Sequence, residues 1–191
     1  LTRLERRQGL PAGGSRDQPA RQQTLARAIA WSYDLLTPEE QALFRRLAVF
    51  AGGCTLAAAE VVAGGEGERR TGGADGNAFP PYPLTPFPPV LDGIASLVDK
   101  SLLAQRAGPD GATRFHMLET IRAFALDRLD ASGEAGPLLR AHADWCLALA
   151  EQAAAAFFTD DENAWLDALL AEQPNIRAAL EWALGAGAGP P

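Results

Sequence analysis

Between Arg114 and Ala125 one periodicity gives way to another. Phe115 and Met117 alternate with Arg114 and His116, which is the two-residue period of a strand. Leu118, Ile121 and Ala125 then recur three and four apart, the spacing of one helix face. A residue near Leu118 must therefore turn a strand into a helix in mid-chain. Few folds place such a joint between helices on both sides. The chain has to join a small sheet directly to a helical layer.

The segments around the joint carry their own punctuation. Gln22 to Leu36 reads as a helix whose last turn, Trp31-Ser-Tyr-Asp-Leu-Leu36, is expected to dock its aromatics on the domain after it. Thr37-Pro-Glu-Glu40 is a helix start: Thr37 can cap, Pro38 suits the first turn, and Glu40 stands where a capping box needs an acid. That helix turns Leu43, Phe44, Leu47 and Phe50 inward until Gly52-Gly53 stops it. Thr55 caps a short helix, Leu56 to Ala63. Val90 to Lys100 is a third helix, with Leu91, Ile94, Leu97 and Val98 on its apolar face. Ser101 to Arg106 and Thr113 to Met117 are strands around the turn Gly108-Pro-Asp-Gly111. The fourth helix runs from Leu118 to about Ala131.

Three helices, a hairpin and a helix, in that order, spell a winged helix-turn-helix, with Val90 to Lys100 in the recognition position. Beyond it the chain is helical. Pro137 opens a long helix to about Phe158, Asp160-Asp161 begins another, and Pro174 marks a kink or a new first turn. Such helix pairs suit the first units of a TPR-like array, whose open face needs a neighbour. The fold class is therefore mainly α: a winged helix-turn-helix followed by antiparallel TPR-like helices. Residues 1–36 are expected to be a linker and the end of a preceding region, 37–131 the winged helix, and 135–185 the start of the repeats. The stretch 64–89 interrupts the winged helix. It is rich in Gly and Pro without any period, and reads as a disordered insertion. Its middle, from Phe79 to Pro89, has in addition the makeup of a polyproline ligand for an aromatic groove.

Composition narrows the function. The chain is 47% hydrophobic and only 7% aromatic, which suits helices packed closely on small side chains. A net charge of -7 argues against DNA as a partner of this region, because nucleic-acid-binding domains usually show a basic face. Cys54 and Cys146 lie far apart and outside any Cys-x-x-Cys pair, which suits buried, reduced thiols in a cytoplasmic protein. His116, His142 and the two cysteines lack metal-ligand spacing. The most apolar stretch, Trp145 to Phe158, is too short and too interrupted to span a membrane. No phosphate-binding glycine loop is present, so no enzyme activity is expected here. The chain opens on Leu1 and closes on Gly-Ala-Gly-Pro-Pro, and is expected to be part of something longer.

Four motifs in order carry a family resemblance: Trp31-Ser-Tyr-Asp-Leu-Leu36, Phe44-Arg-Arg-Leu-Ala-Val-Phe-Ala-Gly-Gly53, Leu97-Val-Asp-Lys-Ser-Leu-Leu103 and Met117-Leu-Glu-Thr-Ile-Arg122. His142-Ala-Asp-Trp145 and Glu172-Gln-Pro-Asn-Ile-Arg-Ala-Ala-Leu180 add to them. Together they resemble the region after the nucleotide-binding domain in bacterial STAND-class signalling ATPases. These relatives of NB-ARC proteins include LuxR-type and SARP/AfsR-like transcriptional regulators. The resemblance implies a regulatory role: a winged helix that closes on an upstream nucleotide-binding domain, with repeats that sense a protein or ligand. It implies ADP or ATP in the full-length protein and no cofactor in this region. The Met-His-Asp motif of such proteins aligns with Met117-Leu118-Glu119, so Leu118 stands where a phosphate-contacting His is expected. His116, two residues earlier on the strand, is the polar candidate facing nucleotide, or else a surface or capping His. If the winged helix instead reads DNA, Lys100, Arg106 and Arg114 are its candidate contacts.

Overall fold

The computed structural model describes residues 20–64, 90–108, 111–157, 159 and 162–187. Residues 1–19 of the expected linker region 1–36, nearly all of the Gly/Pro-rich insertion, the tip of the hairpin turn and Asp160-Asp161 lie outside the described residues. The elements are α1 (Ala20–Asp34), α2 (Pro38–Leu47), α3 (Leu56–Val62), α4 (Val90–Asp99), β1 (Ala104–Ala107), β2 (Thr113–His116), α5 (Glu119–Ser132), α6 (Ala135–Ala155) and α7 (Glu162–Gly187). The architecture is mainly α: a helix bundle, a two-stranded wing, then further packed helices.

Helix α2 begins as its capping residues require. The Glu40 backbone N–H donates to Thr37 Oγ1 at 3.3 Å, and the Thr37 N–H donates to Glu40 Oε2 at 2.9 Å. Leu43, Phe44 and Leu47 then enter the core. Phe44 is fully buried and meets Tyr33 of α1 at 5.5 Å between centroids, while Tyr33 meets Phe124 of α5 edge-on at 5.6 Å. Those contacts fix α1 to the bundle through Tyr33. Trp31, expected to dock beside it, is 67% exposed instead, because it lies on a different face of α1. The helix also stops at Leu47, so Phe50 reaches the core from the following turn.

Helix α4 crosses α2 closely. A Cβ on Gly93 would lie 2.4 Å from Leu43 Cδ2, so glycine permits the approach that buries Ile94 and Leu97. Ser101, at φ 59°, reverses the chain into β1. The wing is antiparallel, in the register Ala104↔His116, Gln105↔Phe115, Arg106↔Arg114 and Ala107↔Thr113. Cys54 adds one further rung, exchanging both backbone hydrogen bonds with Phe115 at 2.9 and 2.8 Å.

The joint behaves as its two periodicities predict. Strand β2 ends at His116, Leu118 is the N-cap, and α5 begins at Glu119. Phe115 faces the core. Alternation puts Arg114 on the opposite face of the strand, yet it is buried too, because α7 covers that side. Pro174 does not divide the last helix: α7 runs through it. The proline ring lies against Gly52, where an added Cβ would come within 2.9 Å of it. This tertiary contact replaces part of what the helix loses in missing backbone hydrogen bonding.

Candidate functional site

Two surfaces meet at the wing. On its outer side lies α4, whose Leu91, Asp92, Ala95 and Asp99 are exposed. A groove of about 450 Å³ runs between α3, α4 and the wing, walled by Leu56, Leu91, Val98, Gln105 and Phe115. Lys100, just past α4, is drawn back toward α2. Its Nζ donates to Glu40 Oε1 at 2.5 Å and to Ser96 Oγ at 2.9 Å. Burial works to raise the pKa of Glu40, but the hydrogen bonds from Lys100, Ser96 and the Thr37 backbone outweigh it and lower the pKa to about 2. Arg106 on β1 is exposed.

The inner side of the wing meets α7. Antiparallel pairing puts Arg106 and Arg114 opposite each other, and the two-residue period puts His116 on the same face as Arg114. Arg114 Nη1 donates to Glu172 Oε1 of α7 at 2.6 Å, with the two side chains only 4% and 7% exposed. Its Nη2 donates to the Gly53 carbonyl at 3.2 Å. Asn175, one helical turn after Glu172, donates from Nδ2 to the same carbonyl at 2.9 Å and to Glu172 Oε2 at 2.6 Å. Its Oδ1 accepts from the Gly52 N–H at 3.4 Å. The Gly52-Gly53 turn can sit this close only without side chains. Gly53 has φ 76°, and a Cβ there would lie 2.5 Å from both the Phe115 carbonyl oxygen and His116 Nδ1.

Arg114 is therefore corrected as a DNA contact: its guanidinium faces inward, neutralised by Glu172. His116 sits half-buried at the rim of a cleft of about 360 Å³ between wing and α7. Burial lowers its pKa first, and the guanidiniums of Arg114 and Arg106 lower it further, against the opposing pull of Glu172. Leu118 is 60% exposed and caps nothing with its side chain. Glu119 is also exposed, and accepts from Arg122 Nη1 at 3.2 Å. The structure thus brings His116 together with Arg106 and Arg114, and leaves Leu118, Glu119 and Lys100 outside that group.

Glu172, Asn175 and Gly53 are not among the candidates from sequence, although the spacing of Glu172 and Asn175 puts both on one helix face. That face can be recognised as polar, but its partner strand cannot. Behind it, His142 of α6 is fully buried, edge-on to Phe50 at 5.1 Å and 3.9 Å from Cys146 Sγ. Burial lowers the pKa of His142, against a hydrogen bond with Asn175 that raises it. Both cysteines are free and buried, and burial pushes each thiol up to about 12, which leaves them inert as nucleophiles. Among the described residues, no group of three or more His, Cys, Asp or Glu could hold a metal ion, and no helix is long and apolar enough to cross a membrane.

No family model matches the chain. No solved structure gives a significant match either. Among curated proteins, a "Putative HTH-type transcriptional regulator" of Mycobacterium tuberculosis (strain H37Rv) is 42% identical over 173 residues, 91% of this chain and 17% of that protein. The same description and figures apply to a protein of Mycobacterium bovis. An "Uncharacterized protein" of M. tuberculosis (strain H37Rv) is 34% identical over 139 residues, 73% of this chain and 31% of that protein. This chain thus spans about a sixth of the length of the first two relatives. Their description overturns the expectation, drawn from net charge, that DNA is not a partner: charge summed over a chain does not report the charge of one face. The chain is a helix-rich homologue of part of these bacterial HTH-type transcriptional regulators.

Proposed function

We propose that this chain is a non-enzymatic winged-helix segment of a bacterial transcriptional regulator, acting at 37–131 on DNA through α4 and the wing. The observation that carries the reading is the outer face of α4, left open beside Gln105 of the wing, in a chain 42% identical to an HTH-type regulator. A recognition helix must present an uncovered face to a groove while its inner face is held by the preceding helices. Helix α4 does this, with Gly93 and Ile94 against α2 and Leu91, Asp92 and Ala95 outward. The candidate cations are Lys100, beside α4 and opposed by Asp92 and Asp99, and Arg106, exposed on the wing's other face. Two phosphate contacts give a salt slope of about -1.8 in log K against log salt. A mobility-shift titration from low salt tests this. Lys100→Ala and Arg106→Ala should each flatten the slope by about 0.9. An unchanged slope in both, or no shift at low salt, refutes the assignment.

A second, finer reading places the same winged helix in a signal-transducing ATPase regulator, with helical repeats beginning at 135–185. It is favoured by apolar surface suited to protein: Leu91 on α4 is 51% exposed, and Leu170, Leu180 and Leu184 on α7 are more open still. In that reading ADP or ATP binds an upstream domain, and His116 is the side chain nearest to it. Full-length protein that binds ADP equally well with wild-type and His116→Ala winged helix would remove His116 from that role.

A further inference from the structure

We infer that the cleft between the wing and α7 is a binding site for a free phosphate-class oxyanion, held by Arg106 and His116. The wing places two arginines directly opposite each other, on the face it shares with His116. Like charges at that position destabilise a strand pair. Among the described residues the carboxylate facing the three basic groups is Glu172, and both its oxygens are engaged, by Arg114 and Asn175. Arg106 and His116 have no side-chain hydrogen-bond partner among the described residues. Both line the cleft, with Gly52, Arg114, Gln173 and Pro174 completing its wall. Its volume of about 360 Å³ admits a phosphate with bound water, or a small phosphate monoester, and is far too narrow for a duplex.

Electrostatics at His116 point the same way. The groups facing it are Arg106 from β1, Arg114 from β2 and Glu172 from α7, and their balance together with burial disfavours a proton on the ring. An anion in the cleft reverses that balance. It offsets the Arg106–Arg114 repulsion, accepts from the guanidinium of Arg106, and makes the protonated imidazole a second charged donor. Binding therefore takes up a proton, and affinity grows as pH falls through the His116 titration. This site goes beyond the DNA reading and does not depend on it.

The probe is inorganic phosphate, titrated into the 191-residue chain against chloride at constant ionic strength, with the two histidine rings followed by NMR. His142, fully buried, is the internal reference. Saturable movement of His116 alone, with its titration midpoint raised by phosphate, is the expected result. Arg106→Gln, at an exposed strand position, should weaken binding roughly ten- to hundredfold while the His142 signals stay in place. His116→Asn should remove the growth of affinity at low pH. No saturable movement of His116, equal movement by chloride, or undiminished phosphate binding in Arg106→Gln would each overturn the site. A short DNA duplex that moves His116 where phosphate does not would overturn it as well, and would assign Arg106 to the nucleic-acid backbone.

Discussion

Breaking the Arg114–Glu172 pair should be the costliest single polar change in the molecule. At 2.6 Å, and with an effective dielectric of about 20, the attraction between the two charges is roughly 6 kcal/mol. Desolvating each ion costs several kcal/mol, so the intact pair is close to neutral for stability. Removing one partner is different, because the other stays buried after losing this 2.6 Å contact. Glu172→Leu takes a buried carboxylate away from the Arg114 guanidinium and from the Asn175 amide, at an expected cost of about 3–5 kcal/mol. Arg114→Leu should cost a similar amount. The double variant replaces two buried charges by two apolar side chains and should fall within about 2 kcal/mol of the parent. Urea unfolding of the four proteins closes the cycle, followed in parallel by far-UV circular dichroism and tryptophan fluorescence. Trp145 of α6 lies 5.8 Å edge-on from Phe50 and stacks on His142 at 6.1 Å, so the two probes also test whether this packing is lost together with the helices. A single-variant loss below about 1 kcal/mol, or additivity of the two singles, would refute a coupled buried pair.

Two other predictions rest on the same geometry. Gly53 and Gly133 share nearly the same backbone angle, φ 76° and 77°, but only Gly53 has atoms where a Cβ would go. Gly133→Ala should cost about 1–2 kcal/mol for the left-handed conformation alone, and Gly53→Ala about 2 kcal/mol more; equal falls in thermal midpoint would show that the close approach at Gly53 is dispensable. Glu40 is held at about 2 against an ordinary 4.5, so its contribution is complete above pH 4.5 and is lost as pH falls toward 2. That drop corresponds to about 3 kcal/mol unscreened. Lys100 is 40% exposed, and screening reduces the figure to roughly 1–2 kcal/mol. Glu40→Gln should therefore flatten the acid limb of stability against pH, and an acid limb as steep as the parent's would refute the assignment.

What could be read from the residues was local. Thr37 and Glu40 announce a capping box within four positions, and the change of period at Leu118 announces the strand-to-helix joint. The glycine pair at 52–53 likewise marks a chain reversal without reference to anything distant. What could not be read depends on a partner far along the chain. Arg114 looks like an outward wing residue until α7 is laid over it, because alternation assigns a residue to a face but not to solvent. Glu172 and Asn175 look like an ordinary polar helix face until Gly53 is found beneath them. Pro174 reads as a break because helix propensity is local, whereas its contact with Gly52 spans more than a hundred residues. The same limit misled the charge argument about DNA, which treated the chain as one sum.

The division of the wing into two faces sets how its charge can be used. Strand alternation sends Phe115 to the core, where it fixes the wing to Cys54, and sends Arg114 and His116 to α7. Glu172 then removes one arginine from the surface and leaves Arg106 as the open cation of the pair. The charge the wing presents thus depends on a helix more than fifty residues away, through an ion pair that contributes little net stability but much positional specificity. A displacement of α7 by even a few ångströms would uncover a second guanidinium directly across from the first.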